Sequence, residues 1–388
     1  MRFLFIGSLI LLTTYSCSKK LKIGDPLWGL SREERERFER GREIFEKDFS
    51  TEEGLGPLFN SPGCGFCHAE PLTGGGSGIS EVHATRFAPP DSCDPLFREG
   101  GPVIQQNATP LLKEKGIVKE GIPPSATGQG LRSTPPVFGF GLIDGIPEEV
   151  ILANEDPEDQ DEDGISGRAN RFLDGRLGRF GRKAFLPDLF LFNAGAFPID
   201  QGITTPLQPV EETVNGIPVP PETDPLPEPE VQLDAIKAVT DFTRFLAPPP
   251  RLSIKLIQDS FEKKDILKGR KIFEKIGCAN CHIPSMKTGP SETKALHQKT
   301  VYLFSDLLLH DMGSGLKDVC LGLATPSEFR TEMLMGLRFK KQFLHDGDAK
   351  TIQDAIERHG GEGSASRKEF QNLKERDQKS LLKFLETL

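Results

Sequence analysis

Positive charge is in short supply. The 388 residues carry 48 Lys and Arg against 57 Asp and Glu, a net charge of −9. That excludes nucleic acid as the partner, because phosphate binding needs a basic face this composition does not provide. Long apolar runs are lacking as well. The N-terminal "MRFLFIGSLILLTTYSC" has one apolar run, Phe3 to Leu12, too short to cross a bilayer as a permanent helix. One positive residue, that run, and then small and polar residues to Cys17 form an export signal over residues 1–17, so the mature protein is expected to begin near Cys17 and to work in the periplasm. Cys17, followed by Ser18 and two lysines, resembles the lipidated cysteine of a bacterial lipoprotein, although Thr14 stands where leucine is usual. Lipidation there and simple cleavage nearby are both open readings; with the first, the membrane is met only through a lipid anchor.

Cysteine and histidine are scarce, seven of each, and tryptophan occurs once, at Trp28. What the chain does have is 36 % apolar residues, 40 glycines and 31 prolines. It is long enough for two packed domains, with long loops between short helices.

The scarce residues are not scattered. "GCGFCH" places Cys64, Cys67 and His68 together, and "GCANCH" does the same with Cys278, Cys281 and His282. A cysteine pair at this spacing can add its thiols across the two vinyl groups of haem, and a histidine directly after it swings beneath the ring to offer iron an imidazole nitrogen. A zinc site of four cysteines is the bland alternative, but it leaves both histidines unexplained. The expectation is two covalently bound haem c groups with His68 and His282 as proximal ligands.

Each motif follows the same lead-in. "GREIFEK" begins at Gly41 and "GRKIFEK" at Gly269, identical at six of seven positions. The first copy has 22 residues between its glycine and Cys64, the second eight before Cys278, so the first unit carries an inserted loop. Ile44 and Phe45, like Ile272 and Phe273, sit among charges as one face of an amphipathic helix. The far ends correspond too: "AIKAVTDFTRFLAPP" has Ile236, Val239, Phe242 and Phe245 at helical spacing, and "DQKSLLKFLETL" has Leu381, Leu382, Phe384, Leu385 and Leu388. The expected fold is mainly α, two cytochrome c-like haem domains over residues 31–250 and 251–388 with Gly/Pro-rich loops. "TTPLQPVEETVNGIPVPPETDPLPEPE", with eight prolines, reads as an extended surface loop without chemistry.

The group opposite each proximal histidine decides reactivity, since a histidine or methionine closes the iron for electron transfer and an open position admits a small ligand. In the second unit the candidates are His297, His310, Met312, Met333, Met335, His345 and His359. "AKTIQDAIERHGGEG" puts His359 at the end of an amphipathic helix, before two glycines that stop it and permit close approach to a flat cofactor. Met312 in "LLLHDMGSG" is its rival, with a core methionine as the plain alternative. In the first unit His83 follows in a glycine-rich loop, as a cap for that iron or a solvated histidine.

In order around the two motifs stand "STPPVFGFGLIDGIPEEVIL", "DEDGISGRAN", "GRFGRKAF", "FTRFLAPPPR", "SDLLLHDMG", "FLHDG" and "RHGGE". This set, covering most of the chain after residue 40, resembles the bacterial di-haem oxidoreductases, peroxidase-like proteins also called thiol oxidoreductases. That family is similar to the di-haem cytochrome c peroxidases and to the di-haem enzyme that matures a tryptophan-derived cofactor. The peroxidases carry a distal methionine 14 residues beyond the histidine of an FH(D/S)G turn; 14 residues after His345 in "FLHDG" stands His359. The resemblance therefore implies a bis-histidine second haem, with a lower potential than His/Met ligation gives. Where the peroxidases have tryptophan in FWDGR, this chain has Ile143 in "GLIDGI". Their acid beside the open iron has no evident counterpart, with Glu148, Glu149, Glu155 and Asp163 all in competition.

"DPEDQDEDGISGRAN" holds Asp159, Asp161 and Asp163 before Gly164, the first half of a Ca2+ loop, although Asn170 occupies the twelfth position. A solvated acidic loop competes with that reading; the calcium that the peroxidases hold between their domains favours metal. Cys93 and Cys320 are left over and could bridge the two halves. The expected function is that of an exported di-haem oxidoreductase, peroxidase-like. It takes electrons from an external donor, a small cytochrome or cupredoxin, through the His282 haem to a reactive His68 haem that meets hydrogen peroxide. The rival is a di-haem electron carrier without substrate turnover.

Overall fold

Two helix pairs frame the chain, and each is closed by a glycine. The computed structural model describes residues 21–388, so the export signal and Cys17 lie outside the described residues. Helix α1 (Arg32–Phe45) starts at a capping box: the Ser31 hydroxyl accepts from the Glu34 amide while Glu34 accepts from the Ser31 amide. Its buried residues, Phe38, Gly41 and Phe45, recur at helical spacing. The short helix α2 (Cys64–Cys67) is the first motif itself.

Between them and the closing helix lies what the helical reading did not foresee, a small antiparallel sheet. Strand β1 (Ser80–Ala88) is its centre, flanked by β2 (Ser92–Asp94), β3 (Val103–Ile104) and β4 (Gly128–Ser133). Helix and strand account for 33 % and 14 % of the chain. Helix α3 (Leu189–Gln201) is capped by Asp188. Helix α4 (Leu233–Phe245) ends before Pro248 and packs on α1, with the Phe242 ring 5.2 Å from Phe38 and 4.7 Å from Phe45.

The second half repeats the pair. Helix α5 (Ser260–Lys275) leads into α6 (Cys278–Cys281), the second motif. After the hairpin of β5 (Leu309–Asp311) and β6 (Glu328–Arg330) come α7 (Ile352–Glu357), α8 (Ser364–Asn372) and α9 (Glu375–Leu385). Helix α9 crosses α5 as α4 crosses α1, with Phe384 5.5 Å from Phe273. The two hydrophobic cores are built on these pairs, yet the first also takes Met286, Leu303, Leu307 and Leu308 from beyond residue 251. Cys93 on β2 and Cys320, 227 residues apart, form a disulfide with Cα atoms 5.8 Å apart. Closing so long a loop restricts the unfolded chain.

The shared glycine explains the shared crossing. A Cβ on Gly41 would overlap the carbonyl oxygen of Ala238 and press on Cβ of Phe242; one on Gly269 would overlap the carbonyl of Ser380 and press on Cβ of Phe384. Neither glycine has a left-handed backbone, so contact and not conformation demands it. Replacing Gly269 by alanine is expected to cost about 1–3 kcal/mol by overpacking, read as a lower denaturant midpoint. Gly315→Ala, where nothing lies within 4 Å, should leave the midpoint in place.

Candidate functional site

The second motif opens into a cavity of about 210 Å³. Helix α6 places Cys278, Cys281 and His282 on its wall; His359, at the end of α7, and Met312 also line it. The ring of His282 is fixed at one nitrogen only, Nδ1 lying 2.9 Å from the carbonyl oxygen of Phe304. His359 repeats this, its Nδ1 2.7 Å from the carbonyl of Ala355. A carbonyl acceptor holds the proton on Nδ1 and leaves Nε2 with a free lone pair. Burial pushes His282 down to about 4 and lowers His359 as well, so both rings are neutral and able to ligate a metal at pH 7.

The first motif has the same anchoring. His68 Nδ1 is 3.0 Å from the carbonyl of Gly75, burial lowers its pKa, and the ring packs 5.7 Å from Phe45. Phe273 stands 6.4 Å from His282 in the matching position. The Gln201 amide donates to Cys64 Sγ at 3.4 Å. Burial pushes Cys64 and Cys278 up to about 12 and Cys67 to about 11. These are neutral thiols, available for addition across a vinyl group. A four-cysteine zinc site does not form: Cys64 packs on the first core and Cys278 on the second, and no potential ligand group among the described residues holds more than one cysteine. The residues and the cavity at the second motif fit haem; the first motif offers the same donor set.

The other ligand candidates separate on geometry. His310 is excluded by its partners: Nε2 meets Asp306 and Nδ1 meets Glu362, each at 2.7 Å. Burial acts to lower its pKa, but those bonds and one from Cys281 hold it up at about 12, as a fixed imidazolium. His345 stacks on Phe329 at 4.3 Å, His297 binds Ser291 at the surface, and Met333 belongs to the first core. Met312 stays at the cavity wall beside His359. His83 lies on β1 between Val103 and Gly130, in a strand and not in a glycine-rich loop. It is buried, and neither ring nitrogen makes a well-formed hydrogen bond, the nearest group being Glu81 Oε2, 3.5 Å from Nε2.

Near His68 the chain gathers a group the sequence did not reveal. Glu81, two residues before His83 on β1, hydrogen-bonds the carboxyl of Asp200 at the end of α3, and its Oε2 lies 3.5 Å from His83 Nε2. Burial and the neighbouring Glu81 charge raise Asp200 well above the carboxylate range, so the pair shares a proton there. The separation of 119 residues between these two hides the pair from any local motif. Of the acids in competition, Glu155 accepts from the Ala169 amide and Glu148 and Glu149 start a short helix. Asp163 accepts from Asn280 inside the second motif at 2.9 Å. Asp163 is consequently not one of the clustered aspartates; Asp156 joins Asp159 and Asp161, their oxygens within 4.8 Å of one another. The proline-rich stretch draws Glu211, Asp224, Glu228 and Glu230 together in the same way.

The family described as "Di-haem oxidoreductase, putative peroxidase" matches residues 124–388, more than half of the chain; the first motif precedes the matched segment. The cytochrome c551 peroxidase of Nitrosomonas europaea is 27 % identical over 134 residues, 34 % of this chain and 38 % of that protein. The matched part thus spans well under half of that relative. Among solved structures, hydrazine synthase of Kuenenia stuttgartiensis aligns over 100 % of both chains at 15 % identity and TM-score 0.39. A MauG-like protein associated with microbial copper homeostasis aligns over 96 % of this chain and 94 % of its own at 15 % and 0.42. Likeness at this level carries no information about the reaction. No helix among the described residues is long and apolar enough to cross a membrane.

Behind the cavity wall, Lys183 Nζ lies 3.6 Å from the Phe329 ring centroid and 3.0 Å from Asp318 Oδ1, while Arg132 donates to Asp318 Oδ2 at 2.8 Å. Burial pulls Lys183 down to about 7 against the attraction of Asp318. A depressed lysine stabilises the fold above its unfolded pKa, and that contribution is lost as pH falls toward 7. Asp318→Asn leaves two buried cations without their anion and should cost about 3–5 kcal/mol. The cost should be greatest below pH 7, where wild-type Lys183 is charged and paired, and smaller by pH 9, where the amine is neutral in both proteins. Denaturant unfolding at the two pH values measures it; a cost independent of pH would contradict this account.

Proposed function

Because this chain belongs to the di-haem oxidoreductase family, we propose that it is an exported c-type cytochrome with one haem in each of two units, residues 31–250 and 251–388, and that it reduces peroxide. Cys64 and Cys67 hold one haem through thioethers with His68 as proximal ligand; Cys278, Cys281 and His282 hold the other. When bound, haem supplies an iron that exchanges single electrons and, where a position is open, accepts a small ligand. The observation that carries the reading is the pair of neutral imidazoles at the second cavity, His282 and His359, each anchored at Nδ1 with Nε2 free. That arrangement supports a six-coordinate electron-transfer site fed by a small cytochrome or cupredoxin, with Met312 second to His359.

The His68 side is the reactive one in this reading. The Asp200–Glu81 pair keeps a proton on a buried carboxyl near the first motif, where it can be delivered to a leaving oxygen. The other residues position and exclude: Gly75 orients His68, and Gln201 holds Cys64. The acidic loop, with Asp156, Asp159 and Asp161 as its clustered oxygens, is the place for a Ca2+ ion. A lipid anchor at Cys17 is the one membrane contact proposed.

One observation favours a second reading. The buried ring of His83, without a well-formed hydrogen bond at either nitrogen, is the group that would close the first iron and make the protein an electron carrier. The ferric spectrum of protein matured with haem separates the two. An enzyme shows a high-spin fraction that shifts with cyanide or peroxide; two inert low-spin haems, one turning high-spin in His83→Ala, would establish the carrier. His359→Ala should turn one further haem high-spin in either case, and an unchanged spectrum would transfer the role to Met312.

A further inference from the structure

The wall of the second cavity carries more positive charge than the protein balances. Arg182, Arg330 and Lys340 all line it and all converge on one carboxylate, Glu332. Arg182 Nη1 and Lys340 Nζ each stand 2.8 Å from it and Arg330 Nη2 3.4 Å. The three cationic side chains are only 10 %, 5 % and 15 % exposed. Three cations on one anion leave a surplus of two, and Nε of Arg182 is buried with no partner at all. Such a surplus is costly away from water unless anions answer it. Asp306 and Glu362 share the His310 imidazolium between them, and the single negative charge they leave over does not cancel that surplus.

We propose that Arg182, Arg330 and Lys340 form the receptor for the two propionates of the haem attached at Cys278 and Cys281. The assignment rests on the haem reading above. The chemistry of the group gives a direction: its vinyl carbons, where the cysteines attach, and its propionates lie at opposite edges of the porphyrin. Arg182 and Lys340 occupy the corresponding place in the protein. They line a second cavity, of about 200 Å³, that none of the motif cysteines touches and that reaches Glu70, Pro71 and Gly76, around the carbonyl of Gly75 that anchors His68. Two carboxylates bring the cluster to neutrality, and guanidinium groups suit them as bidentate donors. The propionate edge of the second haem is thereby directed toward the loop of the first motif.

The test uses haem-loaded protein and reads the haem itself. Lys340→Gln and Arg182→Gln should each shift the propionate bending band in the resonance Raman spectrum and lower the midpoint potential of the His282 haem, since a nearby cation favours the reduced iron. Glu332→Gln should raise that potential, and Lys340→Arg should restore the wild-type values. The potential answers to any charge near the haem; a cluster without propionate contact would leave the propionate band in place. Lys340 is the most exposed of the three, so its variant serves if Arg182→Gln does not fold. Arg367→Gln, beside His359 in the same cavity, should leave the band in place. A band and potential unmoved in Lys340→Gln, or a band moved by Arg367→Gln alone, would overturn the assignment while the haem reading stands. Protein that carries no thioether-bound haem after maturation would overturn both.

Discussion

A neutral imidazole held at one nitrogen and open at the other is the interaction on which the rest of this structure depends. His282 on Phe304 and His359 on Ala355 have it; His68 is held in the same way on Gly75, with the Pro135 carbonyl as a second acceptor close by. In each the acceptor is a backbone carbonyl, which cannot take up a proton, so the ring is oriented without competition for the free nitrogen. Burial then removes the charged form. His310 is the contrast within the same cavity. Its partners are carboxylates, its charge is fixed, and it has no lone pair to offer. Whether a buried histidine has a lone pair to offer is decided by what its second nitrogen meets.

The helix pairs are what allow those rings to be placed twice. Gly41 and Gly269 bring α1 against α4 and α5 against α9 until backbone touches backbone, and Phe45 and Phe273 on the same faces pack against the motif histidines. A side chain at either glycine would separate the pair and move the aromatic floor beneath the imidazole. The repeated GR(E/K)IFEK segment is in this sense a single device: glycine for the crossing, phenylalanine for the floor, charges for the solvent face.

Much of this was legible in the sequence because it is local. The CxxCH motifs, the amphipathic faces of α1, α5 and α9, and His359 before its glycine pair all lie within windows of about two helical turns, where side-chain period and spacing determine contact. The leftover cysteines did find each other, Cys93 with Cys320, because the two motifs account for every other cysteine among the described residues. What escaped are contacts made by pairing distant segments. Glu81 and Asp200 meet only because β1 and the end of α3 are folded onto one motif. The strands hid behind short lengths and glycine-rich flanks, so His83 read as a loop residue although β1 holds it between two neighbours. In the acidic loop the alternation of aspartates was visible, but the turn at Asp159 and Glu162, both with positive φ, brings in Asp156 and sends Asp163 to Asn280.

The charge pattern has the same long-range origin, and it ties the two sides of the second cavity together. Asp306 belongs to the loop just after Phe304, which orients His282, and its amide donates to the carbonyl of Cys281. Glu362 follows His359 by three residues and accepts from the amide of Asp311 and from Ser166. His310 bridges Asp306 and Glu362, so one ionic chain runs from the loop that sets the first imidazole to the turn that sets the other. A neutral ring in its place would leave two buried carboxylates facing each other, a repulsion that could be relieved only by moving those segments apart. The separation of His282 and His359 across the cavity is therefore held by a charge that ligates nothing, and the positive cluster around Glu332 lies on the same wall without sharing a partner with it.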